Sequence, residues 1–223
     1  MVVYRNVNTP GSSNLFTWPI DCIKGSTCQI KYPDINNDGL AFDCSNIISY
    51  KGHEGTDIDI SQTQMDLGIP VFAAADGEVL WVFDGKYDKC PDSTQPDCQA
   101  PSRSLNPGEN QGYQVCTDLG PYCKNGQGLC YWCFDGGNVV IIKHNNIPGI
   151  FATRYDHLKK NSILVRPGDH IVKGQKIGEV GSAGHSSNPH LHFEVWGNTY
   201  YDPIDPWKGN CNLISNSLFD NQP

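Results

Sequence analysis

The sequence predicts a mainly β fold, an antiparallel β-sheet domain with few short helices. Short runs rich in β-branched and aromatic residues dominate the chain, such as GEVLWVF, GNVVIIKH and LHFEVW. Turn signals separate these runs, among them the pairs Asp76-Gly77 and Lys173-Gly174. Long periodic patterns of the kind that amphipathic helices show are missing from the sequence.

The composition is that of a turn-rich globular protein, and it excludes several classes of function. The chain has 223 residues, 38% of them hydrophobic, with 23 glycines and 15 prolines. This suits one large β domain or two small ones. The net charge is −8 and basic residues do not cluster, so we expect no nucleic-acid partner. No apolar run approaches the roughly 18 residues of a membrane span.

The ten cysteines indicate disulfide bonds and an oxidising compartment, so we expect a secreted or extracytoplasmic protein. The first residues, MVVYRNVNTPGSSN, do not contain the apolar core of a signal peptide. We therefore expect a mature or trimmed secreted chain with an added Met1.

Six of the cysteines lie in a loop-rich insert over residues 84–137. A structureless loop of that length is improbable in a compact domain unless it is cross-linked. Cys130 and Cys133 form a CxxC pair, so a zinc ribbon is an alternative, but a second CxxC is lacking. We expect these six cysteines to form disulfides only among themselves: Cys90, Cys98, Cys116, Cys123, Cys130 and Cys133. The other four are Cys22, Cys28, Cys44 and Cys211.

The stretch DINNDGLAFDC, residues 34–44, has the start of a calcium-binding loop. Asp34, Asn36 and Asp38 alternate and are followed by a glycine that permits a sharp turn. The twelfth position is Ser rather than Glu, which departs from an EF-hand, and Asp43 is the candidate for the late carboxylate. The stretch therefore predicts a Ca²⁺ site, with a solvated Asn/Asp turn as the alternative.

The stretch NPHLHFEVW places two of the seven histidines one residue apart in a run that reads as a strand. Because side chains alternate along a strand, His190 and His192 share one face, roughly 6–7 Å apart, with Glu194 beside them. Leu191 and Phe193 point to the other face and are predicted to lie in the core. Two histidines on one face next to a carboxylate indicate a functional site.

Two further segments carry related chemistry. In KGHEGTDIDI, His53 and Asp57 are both good zinc ligands. An extended strand would hold them roughly 13 Å apart, so they meet at one ion only if the chain bends between them, which Gly55 permits. A polar strand entry without a metal is the alternative. In RYDHL, His157 follows a strand-like run and taken alone would be structural.

The segments HEGTD, RYDHL and GSAGHSSNPHLHFEV, in this order, together resemble the lysostaphin-type (LytM-domain) zinc endopeptidases of bacterial cell walls. Further stretches resemble other parts of that domain: FTWPI, IPVFAAADGEV, GNVVIIKH, VRPGDHIVKGQKIGEVGSAG and PIDPW. The resemblance covers residues 16–207 apart from the insert and the calcium-like loop. It implies a sheet domain with an open substrate groove.

The resemblance also implies a role for each matching side chain. His53, Asp57 and His192 would bind Zn²⁺, and His157 and His190 would be catalytic. Three protein ligands leave the fourth coordination position open, as catalytic zinc requires. The sequence leaves open which of the two histidines is the general base.

The resemblance implies a secreted zinc endopeptidase. Its expected substrates are the peptides of bacterial peptidoglycan, in the stem or the cross-bridge. We expect a monomer. An inactive wall-binding or regulatory module is one alternative, but such members of the family typically lack ligands that are all present here. A secreted protease acting on glycine-rich proteins is the other.

The expected organisation is an N-terminal extension, a single peptidase domain and a C-terminal tail, over residues 1–15, 16–207 and 208–223. Of the remaining histidines, His144 and His170 are expected to be structural. His185 lies in the loop before the candidate site and is a candidate for the wall of the groove.

Overall fold

The computed structural model of the chain describes residues 15–86, 88, 136–212, 214, 216–220 and 222. It confirms the predicted fold class, because short antiparallel strands make up nearly all of the regular structure in this part of the chain. The elements are β1 (Gln29–Lys31), β2 (Thr56–Asp59), α1 (Gln62–Leu67), β3 (Pro70–Phe72), β4 (Gly77–Phe83), β5 (Val139–Lys143), β6 (Ala152–Asp156), β7 (His170–Ile171), β8 (Lys176–Glu179), β9 (His190–Trp196) and β10 (Pro203–Ile204).

One large sheet positions the candidate site. Its strand order is β1-β2-β9-β6-β5-β4-β7, with β10 paired to β9, and a separate pair is formed by β3 and β8. Strand β9 lies between β2 and β6, so it joins segments that are far apart in sequence. The antiparallel register places Asp57 of β2 opposite His192 on one side and Asp156 of β6 opposite His192 on the other.

Side-chain alternation along β9 separates the core from the candidate site. Leu191 and Phe193 are buried in the main hydrophobic core, as the sequence predicts. His190, His192 and Glu194 lie on the opposite face, because successive side chains of a strand point to opposite sides. Every residue of β9 is buried, so the side chains of the polar face have little direct exposure to bulk water.

The short helix α1 connects the two sheets. Ser61 caps its N-terminus: its hydroxyl accepts the backbone N–H of Gln64, and the Gln64 side chain accepts the backbone N–H of Ser61. The helix ends at Gly68, which has a φ of 82°. Within the described part of the chain, no helix has the length and apolar character that crossing a membrane requires.

Four cysteines form two disulfide bonds, Cys22–Cys28 and Cys44–Cys211. All four of the cysteines outside the insert are therefore paired with one another, and none of them remains to pair with a cysteine of the insert. The six cysteines of the insert lie outside the described residues, so their pairing with one another stays a prediction.

The segment after residue 207 is not a separate tail. Cys211 is bonded to Cys44, and Phe219 is buried in the main core, where it forms a β-bridge with Phe16. Residues on both sides of position 207 therefore contribute to the same core. One aromatic residue near a chain end carries no periodic pattern, so this packing was not predictable from the sequence.

Candidate active site

Three side chains from distant parts of the sequence form one cluster suited to a metal ion. The Nε2 atom of His53 lies 3.0 Å from Oδ1 of Asp57 and 3.3 Å from Nδ1 of His192. The Asp57 Oδ1 and His192 Nδ1 atoms are 2.8 Å apart. All three residues are buried, and they are the one group of at least three His, Cys, Asp or Glu side chains in the described residues with this geometry.

Hydrogen bonds on the far side of each imidazole fix which nitrogen faces the cluster. The Nδ1 atom of His53 lies 3.0 Å from the carbonyl oxygen of Tyr32, which leaves Nε2 for the cluster. His192 is turned the other way: its Nε2 lies 3.1 Å from Oε1 of Glu194, and its Nδ1 faces Asp57. Partners of this kind orient metal-binding histidines in general.

Gly55 lies between His53 and Asp57 and contributes both a bend and space. The chain bends at Gly55, as the sequence predicts, and β2 begins directly after it, at Thr56. Gly55 itself does not have a positive φ, whereas Gly52 does, at 73°. A Cβ atom on Gly55 would lie 2.6 Å from Nε2 of His192 and 2.9 Å from the carbonyl oxygen of Phe193. Gly55 thus lies at the bend expected from the sequence and also makes room for His192.

The other two predicted site residues, His157 and His190, lie beside the cluster. Their ring centroids are 4.5 Å apart, and Nε2 of His190 lies 3.7 Å from Oδ1 of Asp57. In each ring Nδ1 donates to a backbone carbonyl, from His157 to Ala183 at 2.6 Å and from His190 to Asn188 at 2.7 Å. Nε2 of each ring is thus the nitrogen left for proton transfer or for a substrate.

The backbone of His157 is unusual. It follows the end of β6 and has a φ of 60°, in the left-handed region that few non-glycine residues occupy. Such a conformation costs on the order of 1 kcal/mol and persists only where surrounding contacts fix it. Its N–H donates to Gly136, and its carbonyl accepts the N–H of Gly181. These contacts hold the imidazole against His190.

The protonation of these groups follows from burial and from their neighbours. Burial favours the neutral acid of Asp57, but hydrogen bonds from His192 and His53 hold its pKa well below the ordinary value. Burial also favours neutral His192, yet hydrogen bonds to Asp57 and Glu194 raise its pKa well above the ordinary value. Burial, together with His190 and His192, holds the pKa of His157 well below the ordinary value. His157 is therefore a neutral imidazole near pH 7.

A network of buried charges that sequence reasoning missed supports this face of the sheet. The guanidinium of Arg154 binds both carboxylate oxygens of Asp156, at 2.8 and 2.7 Å, and Nη1 lies 3.2 Å from Oε1 of Glu194. Nε1 of Trp196 donates to Oε2 of Glu194 at 2.6 Å. The sequence places Glu194 beside the two histidines, and its Oε1 lies 3.1 Å from Nε2 of His192. The i, i+2 spacing of Arg154 and Asp156 was the signal available in RYDHL.

A cleft of about 510 Å³ opens over the cluster. It includes His185, so this histidine does line the groove. His144 is instead buried away from the cleft and bonded to Asp76 and Thr153, which confirms its structural role. The residues that line the cleft are Lys31, Ser49, Tyr50, Gly52, Glu54, Asp57, Arg154, Asp156, His157, His185, Ser187, His190, His192 and Glu194.

The structure does not support the predicted calcium site. The carboxylate of Asp34 accepts the backbone N–H groups of Asp38, Gly39 and Gly52 at 3.0 to 3.2 Å, so its oxygens already organise the loop. Oδ1 of Asp38 accepts the N–H of Leu40 at 2.9 Å. Asp43 likewise accepts the N–H and hydroxyl of Ser45, at 3.0 and 2.6 Å.

These contacts are those of an Asx-type turn. Asp34, Asp38 and Asp43 do not belong to the metal-suited group found in the described residues, and the hydrogen bonds given for this loop do not include the Asn36 side chain. The loop nevertheless bears on the candidate site. The Asp34 carboxylate binds the backbone at Gly52, and Asp34 N–H donates to the carbonyl of His53 at 2.8 Å. Asp34 thus braces the segment that carries His53.

The antiparallel sheet thus carries a His/Asp/His cluster with donor types that suit a metal ion, beside two more histidines. The model of peptidase family M23 matches residues 130–206. The chain therefore has a LytM-type domain of peptidase family M23. The matched range contains His157, His190 and His192, whereas His53 and Asp57 lie before it, and the fold brings them to His192.

Several curated proteins are similar to this chain over part of its length. Peptidoglycan DD-endopeptidase ShyB of Vibrio cholerae is 42% identical over 86 residues, which is 39% of this chain and 18% of that protein. Lysostaphin of Staphylococcus simulans is 39% identical over 67 residues, which is 30% of this chain and 13% of that protein. The matches thus span less than a quarter of either relative.

Among solved structures, the crystal structure of a zinc containing peptidase from Vibrio cholerae is similar to this chain with a TM-score of 0.47 and 23% sequence identity. That match covers 89% of this chain and 41% of the other.

Proposed function

We propose that the protein is a zinc-dependent endopeptidase that acts outside the cytoplasm and hydrolyses peptide bonds in bacterial peptidoglycan, in the stem or the cross-bridge. The observation that carries this proposal is the convergence of His53, Asp57 and His192, whose candidate ligand atoms all lie within 4.8 Å of one another. His157 and His190 lie directly beside them. Four of the five residues predicted from the sequence line one cleft, and His53 is buried against two of them, Asp57 and His192.

The cluster fits zinc in its donor types and spacing. Zinc takes imidazole nitrogens and carboxylate oxygens at about 2.0–2.2 Å, so tetrahedral ligands lie roughly 3.3–3.6 Å apart. The three pairs of candidate ligand atoms are 2.8, 3.0 and 3.3 Å apart, so one pair reaches that spacing and the other two are shorter and would separate slightly around an ion. Three protein ligands are the number found in catalytic zinc sites, which keep one position for water or substrate. We therefore assign His53, Asp57 and His192 as the zinc ligands.

Bound zinc would supply a water of lowered pKa and a Lewis acid for the scissile carbonyl. The chain's own residues supply the remaining chemistry. With Nδ1 of His157 and of His190 donating to backbone carbonyls, Nε2 of either ring can accept a proton from the attacking water. The protonated ring can then hydrogen-bond the developing oxyanion or return the proton to the leaving amine.

Glu194 and Arg154 act behind the ligands. Glu194 accepts from Nε2 of His192 and so keeps Nδ1 directed at the zinc position. Arg154 and Trp196 hold the Glu194 carboxylate in turn. Because these groups are nearly enclosed, the orientation of His192 is set before any ligand binds.

The substrate class rests on the relatives. The curated proteins that match the chain include peptidoglycan DD-endopeptidases and a glycyl-glycine endopeptidase, ALE-1 of Staphylococcus capitis. These names cover both direct stem cross-links and glycine bridges, so the type of bond is left to experiment. An extracytoplasmic location follows from such a substrate and agrees with the two disulfide bonds.

The test is digestion of purified peptidoglycans with several types of cross-bridge, followed by mass analysis of the new termini. We expect one type to release peptides with new amino termini, a metal chelator to stop the release and added zinc to restore it. Absence of cleavage in every peptidoglycan by a zinc-loaded protein would favour the wall-binding or regulatory alternative. Cleavage of glycine-rich proteins but of no peptidoglycan would favour the secreted protease alternative.

A further inference from the structure

The two ends of the insert meet directly behind His157. At the returning end, the carbonyl of Gly136 accepts the N–H of His157 at 2.8 Å, and that of Asn138 accepts the N–H of Leu158 at 3.0 Å. The Asn138 side chain accepts the N–H of Lys86 at 2.8 Å and donates to its carbonyl at 2.9 Å. The outgoing end of the insert is thereby bonded to the returning end, next to the segment that carries His157.

Asp88, at the outgoing end of the insert, accepts hydrogen bonds from two backbone N–H groups, one after His157 and one in the turn at residues 181–183. Its Oδ1 accepts the N–H of Ser182 at 2.7 Å, and its Oδ2 accepts the N–H of Lys160 at 3.0 Å. Asp88 also forms a β-bridge with Ala183. A Cβ atom on Gly181 would collide with Oδ1 of Asp88, so the carboxylate is seated in a close-fitting position.

The turn that Asp88 holds is also the turn that orients His157. The carbonyl of Ala183 accepts Nδ1–H of His157 at 2.6 Å, and the N–H of Gly181 donates to the His157 carbonyl at 3.0 Å. A Cβ atom on Gly137 would collide with the backbone of Ala183, so the returning end packs on the same turn. The ring of His157 therefore depends on a turn that the two ends of the insert enclose.

We propose that Asp88 is a positioning residue for His157. By joining the turn at Ser182 to the backbone at Lys160, it sets the distance between the Ala183 carbonyl and the imidazole. That contact keeps the proton on Nδ1 and leaves Nε2 directed at the cleft. The consequence for turnover rests on the proposed function, whereas the consequence for the ring of His157 does not.

Asp84 offers a matched control. It is also an aspartate at the outgoing end, and its Oδ1 accepts the N–H of Asn161 at 2.8 Å. The hydrogen bonds that the structure gives this carboxylate go to Asn161 and to Gly85, and not to the turn at residues 181–183. Removal of the Asp84 carboxylate also breaks a backbone contact near the insert, but it leaves the contacts between His157 and the turn at residues 181–183 unchanged.

The experiment compares Asp88→Ala, Asp88→Asn and Asp84→Ala with the wild-type chain by zinc content, kcat, KM and NMR of the histidine ring nitrogens. For Asp88→Ala we expect zinc to stay near one per chain and kcat to fall roughly 10–100-fold with little change in KM, since small displacements of catalytic groups cost about this much. The NMR signal of the Nδ1–H of His157 should weaken. Asp88→Asn, which keeps one acceptor oxygen, should recover part of both, and Asp84→Ala should resemble the wild type.

The proposal is overturned if Asp88→Ala keeps both the wild-type kcat and the His157 Nδ1–H signal, or if Asp84→Ala loses both to the same extent. If Asp88→Ala does not fold, Asp88→Asn decides, because an unchanged ring signal and kcat in that variant would contradict the proposal. The NMR comparison needs no substrate. A wild-type protein without hydrolytic activity would therefore refute the proposed function while the role of Asp88 is still tested.

Discussion

The two halves of the candidate site are built in different ways. Asp57 and His192 lie on β2 and β9, which pair directly, and the core packs beneath them. His157 lies just beyond the end of β6, with a positive φ, and is held by hydrogen bonds to turns. Regular strands therefore fix two of the three proposed ligands, Asp57 and His192, whereas local contacts of irregular segments fix His157.

This difference separates two kinds of sensitivity. Strand pairing positions two ligands at once, so the placement of Asp57 and His192 should tolerate changes at the turns. The orientation of the His157 ring depends on single carbonyl groups such as that of Ala183. This orientation should therefore change in variants that leave the sheet intact. The predictions below are ordered by the size of the effect expected from this contrast.

The largest effect is expected for His53→Ala. It removes one of three ligands, so both zinc content and peptidoglycan hydrolysis should collapse. Zinc per chain measured by mass spectrometry, beside the hydrolysis assay, checks this. His170→Ala is the control, because His170 is an exposed residue of β7 and should keep both. A His53→Ala variant that still binds one zinc per chain tightly would contradict the ligand assignment.

The next effect is expected for His157→Ala. The ligand set stays complete, so zinc should remain near one per chain, while turnover falls about 10²–10⁴-fold, or roughly 3–5 kcal/mol of barrier. Parallel measurement of metal content and kcat separates this outcome from that of His53→Ala. Loss of zinc in His157→Ala would show that the two halves are not independent.

A smaller effect is expected when the partner of His192 is changed. Glu194→Leu removes the acceptor for Nε2 of His192, and zinc affinity should fall roughly 10–100-fold. Glu194→Gln keeps a carbonyl oxygen at this position and should lose less. Competition with a chelator of known affinity measures both variants, and equal zinc affinity in Glu194→Leu and the wild type would remove Glu194 from the account.

The smallest effect is expected for Gly55→Ala, which tests the close packing of the ligand half. The added methyl group would press on His192 and on the backbone of Phe193, so stability should fall by about 1–3 kcal/mol. Urea unfolding of the metal-free protein measures this, with Gly25→Ala beside it for the strain of a positive φ without a collision. A Gly55→Ala variant as stable as the wild type would show that the site is more open than described.

The parts of the site that lie on a strand with alternating side chains were predictable from the sequence. The alternation in HLHFEVW gave both the buried face with Leu191 and the polar face with His190 and His192, because a strand allows only two faces. The sequence also indicated that His53 and Asp57 are ligand types, but not how they approach each other. That depends on Gly55 making room for a ring more than 130 residues further along the chain, a tertiary contact without a local pattern.

The remaining features of the fold and the site depend on contacts between residues that are far apart in the sequence, which residue spacing does not reveal. The carboxylate of Asp34 looked like a metal ligand because its neighbours alternate, but an Asx turn uses the same residue types for backbone N–H groups. Phe219 looked like part of a tail, yet it fills the core beside Phe16. The role of Asp88 is visible only when residues 88 and 182 are seen together.

The most direct test of the account is the zinc content of His190→Ala beside that of His192→Ala. Both residues lie on one face of β9, but only Nδ1 of His192 meets His53 and Asp57 within 3.3 Å. The account predicts that His190→Ala keeps about one zinc per chain with strongly reduced turnover, whereas His192→Ala loses zinc and activity together. Loss of zinc from His190→Ala, or retention of zinc by His192→Ala, would contradict the division of roles between these two histidines.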